Sequence, residues 1–107
     1  RIMSALERFQ DWYLAQCDGK WEGDRGITVG TLDGPGWRVS VDLTGTYLEN
    51  AGFEEFVVER LEDDWVHARV AESTEPAGHR RFEAFCGPRS LTEALEIFLG
   101  WAESPEE

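Results

Sequence analysis

The chain has 107 residues, of which 41% are apolar and 12% aromatic, enough for one domain around one core and too rich in aromatics for a disordered chain. Its 22 acids against 10 bases give a net charge of −12 and a pI near 4.5, a balance that disfavours phosphate backbones and anionic lipid and attracts a basic partner. No apolar run approaches the roughly 20 residues of a membrane span, no basic start leads into a signal-peptide core, and Cys17 and Cys86 have no CxxC spacing, so a reduced, cytoplasmic setting is expected.

The spacing predicts a first helix over Ser4 to Gln16, with Leu6, Phe9, Tyr13 and Gln16 on one face and Ser4 with Glu7 forming a capping box. Asp18-Gly19 ends it. From Ile27 to Leu32 the period becomes two, Asp33-Gly34-Pro35-Gly36 is a turn, and Trp37 to Leu43 alternates again, which together make a hairpin. After a loop at Glu49 to Gly52, strands are expected over Phe56 to Leu61, Trp65 to Ala71 and Arg80 to Cys86. An acidic turn at Glu62 to Asp64 and a polar loop from Ser73 to His79, containing Pro76 and Gly78, separate them. Leu91 to about Ala102 reads as a second amphipathic helix, with Ser90 and Glu93 as its capping box. Short connections favour an antiparallel meander. The expected fold is α+β: a two-layer sandwich, a five-stranded mainly antiparallel sheet with the N- and C-terminal helices on one face. Residues 1–107 are expected to form one domain, with 1–3 and 103–107 as frayed or vector-derived ends.

Catalytic and metal motifs are weak. His67 and His79 have no metal-binding spacing, and no EF-hand, phosphate loop or nucleophile elbow is present. No catalytic residue, metal or cofactor is therefore assigned. Cys86 precedes Gly87-Pro88 and a helix N-terminus, a setting that favours a thiolate, with Arg89 able to hold an anionic substrate. The competing reading is a small buried side chain closing a strand. Thr92 and Arg89 occupy the positions where a phosphate-loop arginine and a second redox cysteine would stand.

What remains is a surface. From Asp18 to Asp64 there are 12 acids and 4 bases, two-thirds of the chain's acidic excess. Aromatics lie among them, and acidic rims around aromatic anchors suit a protein–protein interface. The candidate partner-binding residues are Asp18, Glu22, Asp24 and Asp33, with Trp21 as anchor and Glu49, Glu54 and Glu55 as a second cluster. Trp37 is expected in the core.

Over Trp12 to Leu43 the chain resembles the immunity protein 53 family of bacterial polymorphic toxin systems. The matching residues are Trp12-Tyr13, Gln16-Cys17-Asp18-Gly19, Trp21-Glu22, Gly26-Ile27, Thr31-Leu32-Asp33, Pro35-Gly36-Trp37 and Asp42-Leu43. The ending Leu95-Glu96-Ile97-Phe98-Leu99 with Trp101 is similar too, whereas Lys20, Gly23 and Gly34 depart from the family pattern. The resemblance implies a small cytoplasmic, non-enzymatic antitoxin that binds a cognate toxin domain. The charge suggests a basic, nuclease-like toxin. Two other readings are a thiol-dependent enzyme centred on Cys86 and a small-molecule or peptide binding module with a tryptophan-lined pocket between sheet and helices. Neither a monomer nor a homodimer is favoured.

Overall fold

The computed structural model describes residues 2–74 and 77–105. The chain opens with α1 (Ala5–Gln16), capped at Ser4. The Glu7 N–H donates to the Ser4 hydroxyl at 3.1 Å, and the Ser4 N–H donates back to the Glu7 carboxylate at 3.0 Å, the reciprocal box expected from the sequence. The buried stripe keeps Phe9 of the expected face but turns toward Trp12. Phe9 and Trp12 face inward, while Leu6 and Tyr13 stay exposed, because α1 meets the rest of the core through edge-to-face contacts of Phe9 and Trp12 with Phe98.

A short helix, α2 (Trp21–Asp24), follows; at four residues it is too brief to leave a periodic signal. Gly26 then takes a φ of +77°, a conformation suited to glycine, and leads into β1 (Ile27–Leu32). The hairpin to β2 (Gly36–Asp42) turns through Asp33-Gly34-Pro35, with a cis peptide before Pro35. Gly36 sits against the Cys86 carbonyl, leaving no room for a side chain. The last three strands are β3 (Phe56–Leu61), β4 (Asp64–Thr74) and β5 (Ala77–Cys86). The polar loop expected over Ser73 to His79 is mostly strand: β4 and β5 pair out to Thr74 and Ala77, and Gly78 at a φ of +84° lies within β5. Pro76 lies outside the described residues.

All five strands pair antiparallel in the order β1-β2-β5-β4-β3. The expectation of a simple meander is therefore corrected. β2 pairs with β5, and the connection 43–55 carries the chain to the far edge. Apolar burial drives that crossing, since Leu43 and Leu48 are fully buried on it. Arg80 donates to the carbonyls of Glu49 and Ala51, and the Trp101 indole N–H donates to the Gly52 carbonyl at 2.7 Å.

On one face of the sheet Val39, Val41, Val66, Ala68, Phe82, Ala84 and Cys86 are buried under the helices. The final helix, α3 (Leu91–Glu103), packs on β4, β5 and α1. Its expected capping box is absent because both side chains bond elsewhere. The Ser90 hydroxyl donates to Asp64 at 3.1 Å, and Glu93 takes an ion pair from Arg60, which also binds Asp64. Glu103, expected in a frayed end, closes α3 and accepts from Arg8 at 2.7 Å. No helix among the described residues is long and apolar enough to cross a membrane.

Candidate partner-binding site

The turn between α1 and α2 is built by two of the candidate acids. Asp18 accepts from the N–H groups of Lys20 and Trp21, both at 2.9 Å, and Glu22 reaches back to the N–H groups of Asp18 and Gly19 at 2.9 and 2.8 Å. Hydrogen bonds from Trp21 and Lys20 hold the Asp18 carboxyl below its ordinary value. These two carboxylates thus shape the surface as well as charge it.

Trp21 is a correction. It is 2% exposed, stands edge to face with Trp12 at 6.0 Å, and donates its indole N–H to the Asp42 carbonyl at 3.2 Å. An anchor needs open area to bury against a partner, and Trp21 has almost none. Trp37 packs against the core as expected, with its indole N–H on the Pro88 carbonyl at 3.2 Å.

The remaining acids divide by place in the fold. Asp24 ends α2 just before β1, and Asp33 lies in the turn just after it. At about 3.4 Å per residue, the six residues of β1 set them on the order of 20 Å apart. Glu49 bonds back to the Gly45 N–H at 3.4 Å, on the loop that lies against Arg25 and Trp21, so it belongs with the α2 side. Glu54 and Glu55 precede β3 at the opposite edge of the sheet. The expected second cluster is therefore split. Asp24, Asp33, Glu54 and Glu55 are exposed, and their carboxylates hold no hydrogen bond or ion pair among the described residues.

The other face of the sheet carries a feature the sequence reading missed. Arg38 and Arg69 both pair with Glu83, at 3.4 and 3.1 Å, and Arg81 stands 3.8 Å from Asp42. The Arg69 guanidinium also lies 5.9 Å from the centre of the Phe85 ring. Asp42 is buried there, with His79 Nδ1 at 2.9 Å and the Thr44 N–H at 3.0 Å. Outward alternation of Arg38 with Asp42, and of Arg81 with Glu83, was the available signal, but only the β2–β5 register puts these residues side by side.

Cys86 has no exposed surface, and burial pushes its thiol above the ordinary value. Arg89 points away to Asp63 at 3.0 Å. This is the bland reading of that cysteine, a buried side chain closing a strand. Indoles expected to line a pocket between the layers instead pack into the interior: Trp12 lies 4.8 Å from Phe98, and Trp101 5.1 Å from Phe53. No group of three or more His, Cys, Asp or Glu side chains among the described residues could hold a metal.

The molecule is thus defined as an acidic α+β domain with one helix-covered and one open sheet face, presenting unpaired carboxylates around its rim. Residues 6–103 match the family model of immunity protein 53, and the chain belongs to that family, which implies a toxin-neutralising role and a toxin as protein partner. No curated protein and no solved structure matches the chain.

Proposed function

We propose that this protein is a cytoplasmic, non-enzymatic antitoxin that binds a cognate toxin domain of a polymorphic toxin system and occludes it. The toxin is a basic, nuclease-like domain, and acidic side chains take it up: Asp18, Glu22, Asp24 and Asp33, with Glu49, and with Glu54 and Glu55 on the far edge. The observation that carries this reading is the set of four exposed carboxylates, Asp24, Asp33, Glu54 and Glu55, left without internal partners in a chain of charge −12. Such groups lose no existing bond when a cation approaches, and together they draw a basic surface inward. An inhibitor of this sign can occupy the electropositive groove that a nuclease uses for its substrate.

Stopped-flow association with the purified cognate toxin domain tests the reading. Asp24→Lys with Asp33→Lys should slow association about tenfold at low salt and much less at high salt. Unchanged rates and an unchanged salt dependence, in that pair and in Glu54→Lys with Glu55→Lys, would refute the acidic-surface assignment.

A further inference from the structure

The two edges of the sheet are built differently. β3 carries Glu59 and Arg60, and its register shifts between Glu59 and Leu61, features that deter a further strand. β1 reads Ile-Thr-Val-Gly-Thr-Leu, with no charge, no proline and no register shift. The Asp42 N–H donates to the Gly26 carbonyl at 3.1 Å, which sets the phase of the ladder. Main-chain groups of Thr28, Gly30 and Leu32 turn toward β2, and those of Ile27, Val29 and Thr31 turn to the open edge.

The helix layer also stops short of this strand. Val29 points to the same side as its buried neighbour Val39, yet it is 46% exposed. At the Ile27 end of the strand, a groove of about 310 Å³ lies between α1 and the start of β1, lined by Phe9, Tyr13, Arg25 and Ile27 among others. The Arg25 Nε on its wall is buried without a hydrogen-bond partner. The unpaired carboxylates of Asp24 and Asp33 flank the strand at its two ends.

We propose that β1 accepts a strand from the partner: an extended segment of the toxin domain, about as long as the six residues of β1, with alternate apolar side chains and Lys or Arg at both ends. Its main chain bonds Ile27, Val29 and Thr31. Side chains opposite those residues fall on the helix side, cover Val29 and enter the groove by Tyr13. Its basic ends meet Asp24 and Asp33. A second copy of this chain fits worse, because antiparallel pairing of two β1 strands sets Asp33 of one beside Asp24 of the other. This inference rests on the neutralising reading for the identity of the partner.

The test has two arms, both read by amide hydrogen exchange in NMR spectra of the full chain. The first uses a synthetic peptide, Lys-Val-Thr-Val-Thr-Val-Lys, blocked at both termini. It should slow exchange at Ile27, Val29 and Thr31, while the same peptide with Glu ends binds at least tenfold more weakly. Thr31→Pro removes an outward N–H without touching the ladder to β2, and should weaken the Lys peptide tenfold or more. Val29→Lys should do the same should the proline variant fold poorly, and Val57→Lys on β3 should change nothing. Saturating peptide with no protection of the three amides overturns strand acceptance. The second arm uses the cognate toxin domain. Tight binding with these amides still exchanging overturns the proposal and leaves neutralisation standing. Peptide protection without toxin binding overturns neutralisation and the toxin as occupant, with the edge still a strand acceptor. Protection that grows with protein concentration alone makes the occupant a second copy and overturns the toxin segment as the occupant.

Discussion

The Trp12 indole N–H donates to the Tyr47 hydroxyl at 2.9 Å, and that hydroxyl donates onward to the Ala102 carbonyl at 2.9 Å. One phenol thus joins α1, the crossing connection and the end of α3. Tyr47→Phe removes both bonds and leaves the nearly buried indole N–H unpartnered, so a loss of about 1–2 kcal/mol is expected in urea unfolding. A change within a few tenths would mean the phenol bonds only to water in solution.

Asp42 is 1% exposed and faces His79, Arg81 and the Thr44 N–H. Deleting one member of such a group strands the others. Asp42→Ala should therefore cost about 3 kcal/mol, far more than removing an exposed acid such as Glu96, which should move stability by no more than about 0.5 kcal/mol. Denaturant midpoints of the two variants make the comparison.

Asp64 links the β3–β4 hairpin to α3, and its hydrogen bond from Arg60 is the chief reason its carboxyl titrates below the ordinary 3.8, with Ser90 adding to it. The folded form therefore gives up this proton more readily than the unfolded form. The stabilisation is complete above the ordinary value and disappears as pH falls through the lowered one. Asp18, held low by the α2 turn, acts in the same direction. Between about pH 5 and pH 2, Asp64→Asn should flatten the fall in unfolding midpoint seen for the native sequence. An equally steep fall would place the acid sensitivity elsewhere.

Thiol reactivity should separate the two cysteines. Cys17 is partly exposed at the end of α1, whereas Cys86 is enclosed between Trp37 and Val66 on neighbouring strands. Pulse labelling with iodoacetamide, read by peptide mass, should modify Cys17 first and reach Cys86 only at the rate of global opening. Rapid labelling of both would contradict the buried strand end.

Local signals were legible in the sequence where chemistry is local. The Ser4–Glu7 box, the hairpin turn and the alternation of Phe82, Ala84 and Cys86 needed no distant partner. The Ser90 box failed because Asp64 and Arg60, far away in the chain, outbid the helix N-terminus for its side chains. Tyr13 and Leu6 fit the helical period as well as Trp12 does, and only the position of α3 decides between the stripes. The candidate acids were found by composition, which reports charge but not distance. Composition therefore groups Asp24 with Asp33 although a whole strand lies between them.

The sheet order has a consequence for how the chain acquires its shape. β1 with β2, and β3 through β5, are each assembled from neighbours in sequence, yet the two blocks meet only where β2 pairs with β5. Closing that central seam joins segments far apart along the chain, so it should be the slow, late event, with each block able to form ahead of it. Cutting the chain within 43–55 would then yield two pieces that recognise each other through the β2–β5 seam and through the packing of α1 on α3, and a domain that reassembles from halves could report on its partner in living cells.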